Sequence, residues 1–324
     1  MAAREARIGP WLVAAGAGLW GTESAWRIPL NNVFEADVLV FWEHVVLVVI
    51  ALPFVLPRLG ELRNVSAKAL GWLAFSAVAG SAVGAVLFTL ALRHGNPTVV
   101  NVVLNIQPVL STTAACLLFG DRLAKQFFIW APIAIIAGML LVGVVSADFS
   151  FHVDTGIIYA LICALFWGLS TVAGRGVMVE MSLPLAAGLR VIGGLVCMAI
   201  IVAVQGFMHA STLWPAAASA DSVSAIFYLV VLAGASGWLP LLLYFQGLQL
   251  TRASTAGYFE MMQTLVAVVI TWGWFHASLS PLQVVAAIVL IAAVAMVQRA
   301  QEATALPPPE PVPPPPPEAR VVQG

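Results

Sequence analysis

Four ionisable side chains, Glu23, Glu43, Arg190 and Glu260, stand inside long apolar runs of the chain. An ionised group near the centre of a bilayer costs on the order of 2.5–3.5 kcal/mol on insertion scales, so each of these is a candidate for function. The alternative is that they pair with one another and hold helices together. Glu43 and Arg190 carry opposite charges. If they stay apart, a cavity holding both suits a zwitterion such as an amino acid; if they meet, each satisfies the other. A carboxyl in a low-dielectric cavity is suited to carry a proton reversibly, which makes Glu23 and Glu260 the candidates for coupling solute movement to protons. His44, next to Glu43, has a side chain that titrates near neutrality, although an intramembrane histidine also serves simply as a hydrogen-bonding partner.

Polar amides and aromatic rings accompany these charges. Asn101, Asn105 and Gln107 are spaced mostly three or four apart and form one stripe on a helix, available either as interhelical glue or for solute contact. Pro108 follows at once and removes a backbone hydrogen bond, which is tolerable where the helix lines a cavity. Gln263 lies one turn beyond Glu260, on a similar face. Trp20 and Trp167, each followed by glycine, and Tyr244 and Tyr258 are candidate cavity aromatics. Their other reading is packing.

Helices in lipid must position these groups. Of the 324 residues, 61% are hydrophobic and only 9% charged, whereas soluble domains carry about a quarter charged residues. Apolar runs repeatedly reach the length that crosses the hydrocarbon core. We place ten spans at approximately 9–29, 37–57, 69–91, 97–118, 127–146, 155–174, 184–205, 222–247, 253–274 and 281–298. Arg4 and Arg7 precede the first of them, which reads as an uncleaved span. If the amino terminus is cytoplasmic, all of the 14 Lys and Arg residues but three fall in inside segments. Of the exceptions, Arg27 and Arg93 fall near outer ends and Arg190 within a span. The positive-inside bias therefore places both termini in the cytoplasm.

With a net charge of −1 and no basic stripe, nucleic acid is excluded as a partner. Cys116, Cys163 and Cys197 sit in apolar runs without ligand spacing and read as packing residues, so no metal or cofactor is expected. Motifs for zinc peptidases, serine hydrolases and nucleotide binding are absent, which argues against a membrane-embedded lipid-processing enzyme. The run PPPEPVPPPPPE near the end is an extended polyproline segment, a solvated tail whose only alternative is a docking ligand in a non-transporting scaffold. A homodimer is left open.

The chain also repeats itself. AGLWGTES around Trp20 aligns with ALFWGLST around Trp167 at a shift of 147, and the same shift sets Glu43 on Arg190. Beyond a longer connection the shift becomes 156, which sets Gln107 on Gln263, Phe119 on Phe275 and Leu123 on Leu279, with Leu104 opposite Glu260. Five spans per unit force the second unit to enter from the opposite face, the inverted-repeat plan associated with alternating access. The expected fold is all-α and integral to the membrane, with ten helices in two inverted five-helix repeats. Residues 1–8 form a cytoplasmic amino terminus, 9–146 the first repeat, 147–154 an extracytoplasmic linker, 155–298 the second repeat and 299–324 a cytoplasmic tail.

These elements resemble the EamA-type branch of the drug/metabolite transporter superfamily. The resemblance rests on the aromatic-Trp-Gly element in the first and sixth spans, on Arg190 in the seventh, and on NIQPVLSTTAACLLFGDRL with its weaker copy QTLVAVVITWGWFHASLS. It implies a ten-helix bundle in a bacterial cytoplasmic membrane that moves small metabolites, often outward. The sequence departs from the pattern at Glu43, where the branch carries Arg, and at Gln107-Pro108 and Gln263-Thr264, where Glu-Pro is common.

Overall fold

The computed structural model describes residues 2–120, 122–141, 154–178, 180–209, 213–250, 259 and 262–304. Among them the chain is helical without strands. The first half runs α1 (Ala2–Gly21), α2 (Glu23–Asn31), α3 (Ala36–Val55), α4 (Ala67–Ser76), α5 (Gly84–His94), α6 (Pro97–Val103), α7 (Gln107–Phe119) and α8 (Phe127–Leu141). It continues with α9 (Thr155–Met178), α10 (Leu183–His209), α11 (Ala216–Ala220), α12 (Ser222–Ala233), α13 (Leu239–Leu250), α14 (Met262–Gly273) and α15 (Pro281–Thr304). Among the described residues seven helical stretches are long and apolar enough to cross a membrane, and α8 and α14 are shorter apolar helices.

Several of the breaks between elements have a local cause. At Thr22 the hydroxyl donates back to the Leu19 carbonyl, separating α1 from α2. Between α6 and α7 the residues Leu104–Ile106 tighten into a 3-10 turn just before Pro108, which has no N–H to continue the ladder. Two widened π-helical stretches, Ala77–Val83 between α4 and α5 and Gly234–Trp238 between α12 and α13, both fall on runs of small residues. Such turns fit less regular hydrogen bonding into a helix and often mark functional sites.

Lipid tails give helices no hydrophobic reason to associate, so close packing of small residues has to hold them. Accordingly α8 and α15 meet through Ala131, Ala134 and Ala137 against Ala286, Leu290 and Ala293. Helix α1 packs along α13, where a Cβ on Gly16 would stand 2.8 Å from the Pro240 carbonyl oxygen. Helix α9 packs along α4 and α5 in the same manner, with the Cys163 thiol donating to the Gly84 carbonyl at 3.3 Å. Where α5 ends, Gly156 faces the backbone of Gly95 with no room for a side chain. We expect Gly156→Ala to force the two backbones apart and destabilise the protein by about 1–3 kcal/mol. Thermal unfolding in detergent checks this, with Gly71→Ala as the control: its Cβ would meet nothing within 4 Å, so its melting temperature should hold or rise.

Candidate functional site

The break at Thr22 delivers Glu23 to the first turn of α2, and Arg27 follows one turn later. Arg27 is only 1% exposed, and its guanidinium gathers two carboxylates. Its Nε and Nη2 donate to Glu23 Oε1 at 3.0 and 2.6 Å, and Nη2 also donates to both oxygens of Glu43 at 2.8 Å. Nη1 donates to the Thr89 hydroxyl at 2.8 Å, and Phe88 lies 5.6 Å from the guanidinium carbon. Two carboxylates around one guanidinium leave a surplus negative charge unless a proton is held there. Glu43 is buried, with both oxygens accepting from Arg27. Glu23 uses only Oε1, and its other oxygen has no partner among the described residues.

Of the two readings of Glu43 and Arg190, this corrects the one in which they meet and satisfy each other. Glu43 belongs to Arg27. The signal was present in the sequence, since Glu23 and Arg27 are spaced i,i+4 on one helix face. Arg190 instead lies between α10, α9 and the first π-helical stretch. Its Nε donates to the Ser81 hydroxyl at 3.1 Å, and among the described residues it enters no ion pair. Gly80 makes the slot: a Cβ there would stand 2.5 Å from Arg190 Nη2 and overlap Ser170. The Gly80 carbonyl, in the widened turn, accepts from Trp167 Nε1 at 3.0 Å. Ser170 is tied in turn to Ser76, hydroxyl to hydroxyl at 2.8 Å. Ser81, Thr89, Phe88 and Ser170 escaped the sequence reading because they are small or neutral.

The two tryptophans sit in matching settings. Trp20 packs on Tyr244 with centroids 5.0 Å apart and planes at 53°, and Trp167 packs on Phe88 at 5.3 Å and 48°. Gly21 rests against Gln263, Val266 and Ala267, while Gly168 rests against Gln107, Leu110 and Ser111. Every member of these contacts is 147 or 156 residues from its counterpart.

The amides divide. Asn101 donates to the Ser24 hydroxyl at 2.9 Å, and Asn105 donates to the carbonyls of Asn101 and Val102 while accepting from Thr264 at 2.7 Å. Both stitch the interrupted helix to its neighbours. Among the described residues Gln107 reaches only the Thr171 hydroxyl, at 3.4 Å, and Gln263 is exposed. The two glutamines thus keep donors and acceptors to offer. His44 bonds through Nδ1 to the Val40 carbonyl at 2.8 Å and packs its ring on Gly194, so it sits as a hydrogen-bonding partner of backbone on its own helix. Tyr258 and Glu260 lie outside the described residues, as do Asp121, most of the 147–154 segment and the proline run.

Apolar helices long enough to cross a bilayer, with charged and aromatic side chains packed among them, define a polytopic membrane protein. The model of the EamA-like transporter family matches residues 7–144 and again residues 154–299. The chain therefore belongs to this family and is a membrane transporter. It is 24% identical over 319 residues to the riboflavin transporter ImpX of Fusobacterium nucleatum subsp. nucleatum, with 90% of this chain and 97% of that one covered. A solved crystal structure superposes with a TM-score of 0.57 over 90% of this chain and 97% of its own, at 15% identity, a likeness of fold alone.

Proposed function

We propose that the chain is a secondary active transporter that moves a small, flat, acceptor-rich organic solute across a bacterial cytoplasmic membrane by alternating access. The observation that carries the reading is Arg190, a cation inside the bundle whose nearest bond is to one neutral hydroxyl. Such a group is stabilised by a solute that supplies carbonyl or anionic oxygens. Trp20 with Tyr244 and Trp167 with Phe88 offer two apolar walls for a ring, and Gln107 and Gln263 offer polar contacts to its edge. With Glu43 held by Arg27, the zwitterion reading loses its cationic half of the argument, and an amino acid becomes the weaker candidate. Riboflavin, which the Fusobacterium relative is named for, has the required chemistry: a planar ring with carbonyl oxygens and a hydroxylated chain.

The architecture we infer is ten spans in two inverted halves, 9–146 and 155–298. The seven long stretches, the two shorter apolar helices and the α1–α2 pair support the count. The paired contacts at shifts of 147 and 156, and the two family matches, support the halves. Charge bias supports cytoplasmic termini. A screen of flavins, nucleosides, amino acids, amines and sugars tests the substrate class. Flavin fluorescence should be quenched on binding by ring contact with Trp20 or Trp167, and binding confined to amino acids would overturn the assignment.

Proton coupling rests on Glu23, whose second oxygen has no partner among the described residues and whose ionisation leaves the triad one charge in excess. Glu23→Gln should abolish accumulation driven by a pH gradient and spare exchange of solute for solute, because the remaining Arg27–Glu43 pair is neutral. Full gradient-driven accumulation by this variant would remove Glu23 from the coupling step.

A further inference from the structure

At the end of the bundle reached by α3 and α9, two sets of bonds reciprocate. The Glu61 carboxylate, in the 3-10 turn Leu56–Asn64, accepts from the Ser182 N–H at 2.8 Å and from its hydroxyl at 2.9 Å. The Glu180 carboxylate, between α9 and α10, accepts from the Ser66 N–H at 2.7 Å and from its hydroxyl at 2.8 Å. Ser66 and Ser182 immediately precede α4 and α10. Each carboxylate therefore docks on the amino-terminal end of a helix from the other half of the chain, where unpaired N–H groups and the helix dipole favour an anion. Among the described residues neither carboxylate enters an ion pair, and Arg58 nearby donates to the Phe54 carbonyl instead.

We propose that this double carboxylate–serine clasp is the lock on that end of the solute pathway, holding the α3–α4 hairpin to the α9–α10 hairpin and parting when that end opens. The inference rests on the alternating-access reading above. Three features fit a lock better than a permanent brace. The bonds join the two halves and not neighbours within one half. They lie at the surface, where water replaces a parted bond at small cost. The opposite end is tied by different chemistry: Trp42 Nε1 donates to the Leu213 carbonyl at 2.8 Å, and Trp214 packs on Phe34 and Trp42 at 5.3 and 5.6 Å. Two ends with separate fastenings can open in turn. The Ser66 N–H and hydroxyl hold the Glu180 carboxyl below the usual carboxylate range, so that half of the clasp stays ionised at neutral pH.

The test uses two readouts. In a background with Cys116, Cys163 and Cys197 replaced by alanine, Glu61→Cys and Ser182→Cys are joined by a reducible two-carbon bis-methanethiosulfonate and flux is measured in proteoliposomes. Joining should lower flux at least about tenfold, the effect of shifting a two-state equilibrium by one decade, and a reductant should restore it. Undiminished flux in the joined protein overturns the proposal. Independently of any solute, spin labels at Gly60→Cys and Met178→Cys report the separation of the two hairpins. The Glu61→Ala/Glu180→Ala pair should lengthen and broaden that distance, and an unchanged distribution also overturns the proposal. If the distance responds while the unjoined protein moves no solute, the clasp stands and the transport reading falls.

Discussion

Replacing Arg27 with methionine should leave little folded protein in the membrane. The change strands two carboxylates, Glu23 and Glu43, around an empty centre, and removing one partner of a buried ion pair costs about 3–5 kcal/mol because the remaining charge is uncompensated. Thr89 loses its donor as well, and the cation over Phe88 disappears. The sign of the argument can be checked by rescue. In Arg27→Met/Glu23→Gln/Glu43→Gln no charge remains, and the amides can bond to one another and to Thr89. Replacing a whole buried ionic cluster with neutral groups is often tolerated, so monodisperse protein should return in size-exclusion chromatography even though coupling does not. If the single variant is as abundant and as thermostable as the unmodified chain, the triad is not the strut described here.

Arg190→Met should have the reverse profile. Among the described residues Arg190, which is part-buried, has one hydrogen-bond partner, the neutral Ser81 hydroxyl, so the hydration it loses is not made up by a counter-charge. Removing it should hold or raise the melting temperature. Solute handling should collapse: losing hydrogen bonds from a charged donor, worth about 1.5–3 kcal/mol, corresponds to about a 10- to 100-fold loss of apparent affinity. A gain in stability with a loss of activity is the pattern of a residue kept for function. A lowered melting temperature with unchanged affinity would assign Arg190 to packing. Arg190→Lys keeps the charge and loses the planar fork, and should recover only part of the affinity.

The sequence made the membrane class legible because hydropathy reports the solvent of each segment directly. The shifts of 147 and 156 were legible too, and they recur in space in the glycine contacts of Gly21 and Gly168 and in the two tilted aromatic pairs. Partner choice was not legible. Counting charges by distance from span ends gave Arg27 no partner, yet α2, set off from α1 at Thr22, carries its side chain to Glu43. Hydropathy carries no information on such a break. The widened turn at Ala77–Val83, which frees the Gly80 carbonyl for Trp167 and seats Arg190, depends on contacts from α9 and α10 that no local pattern encodes. The clasp went unseen for a related reason, since Glu61 and Glu180 look like ordinary loop charges until two helix ends are brought to them.

Counterflow distinguishes alternating access around one internal site from an open path. Purified protein is reconstituted in liposomes preloaded with unlabelled riboflavin, and entry of labelled riboflavin is followed with no ion gradient. Entry should be saturable and several-fold faster into preloaded than into empty liposomes, with that acceleration lost in Arg190→Met. Entry at the same rate into both, rising linearly with concentration, would contradict alternating access.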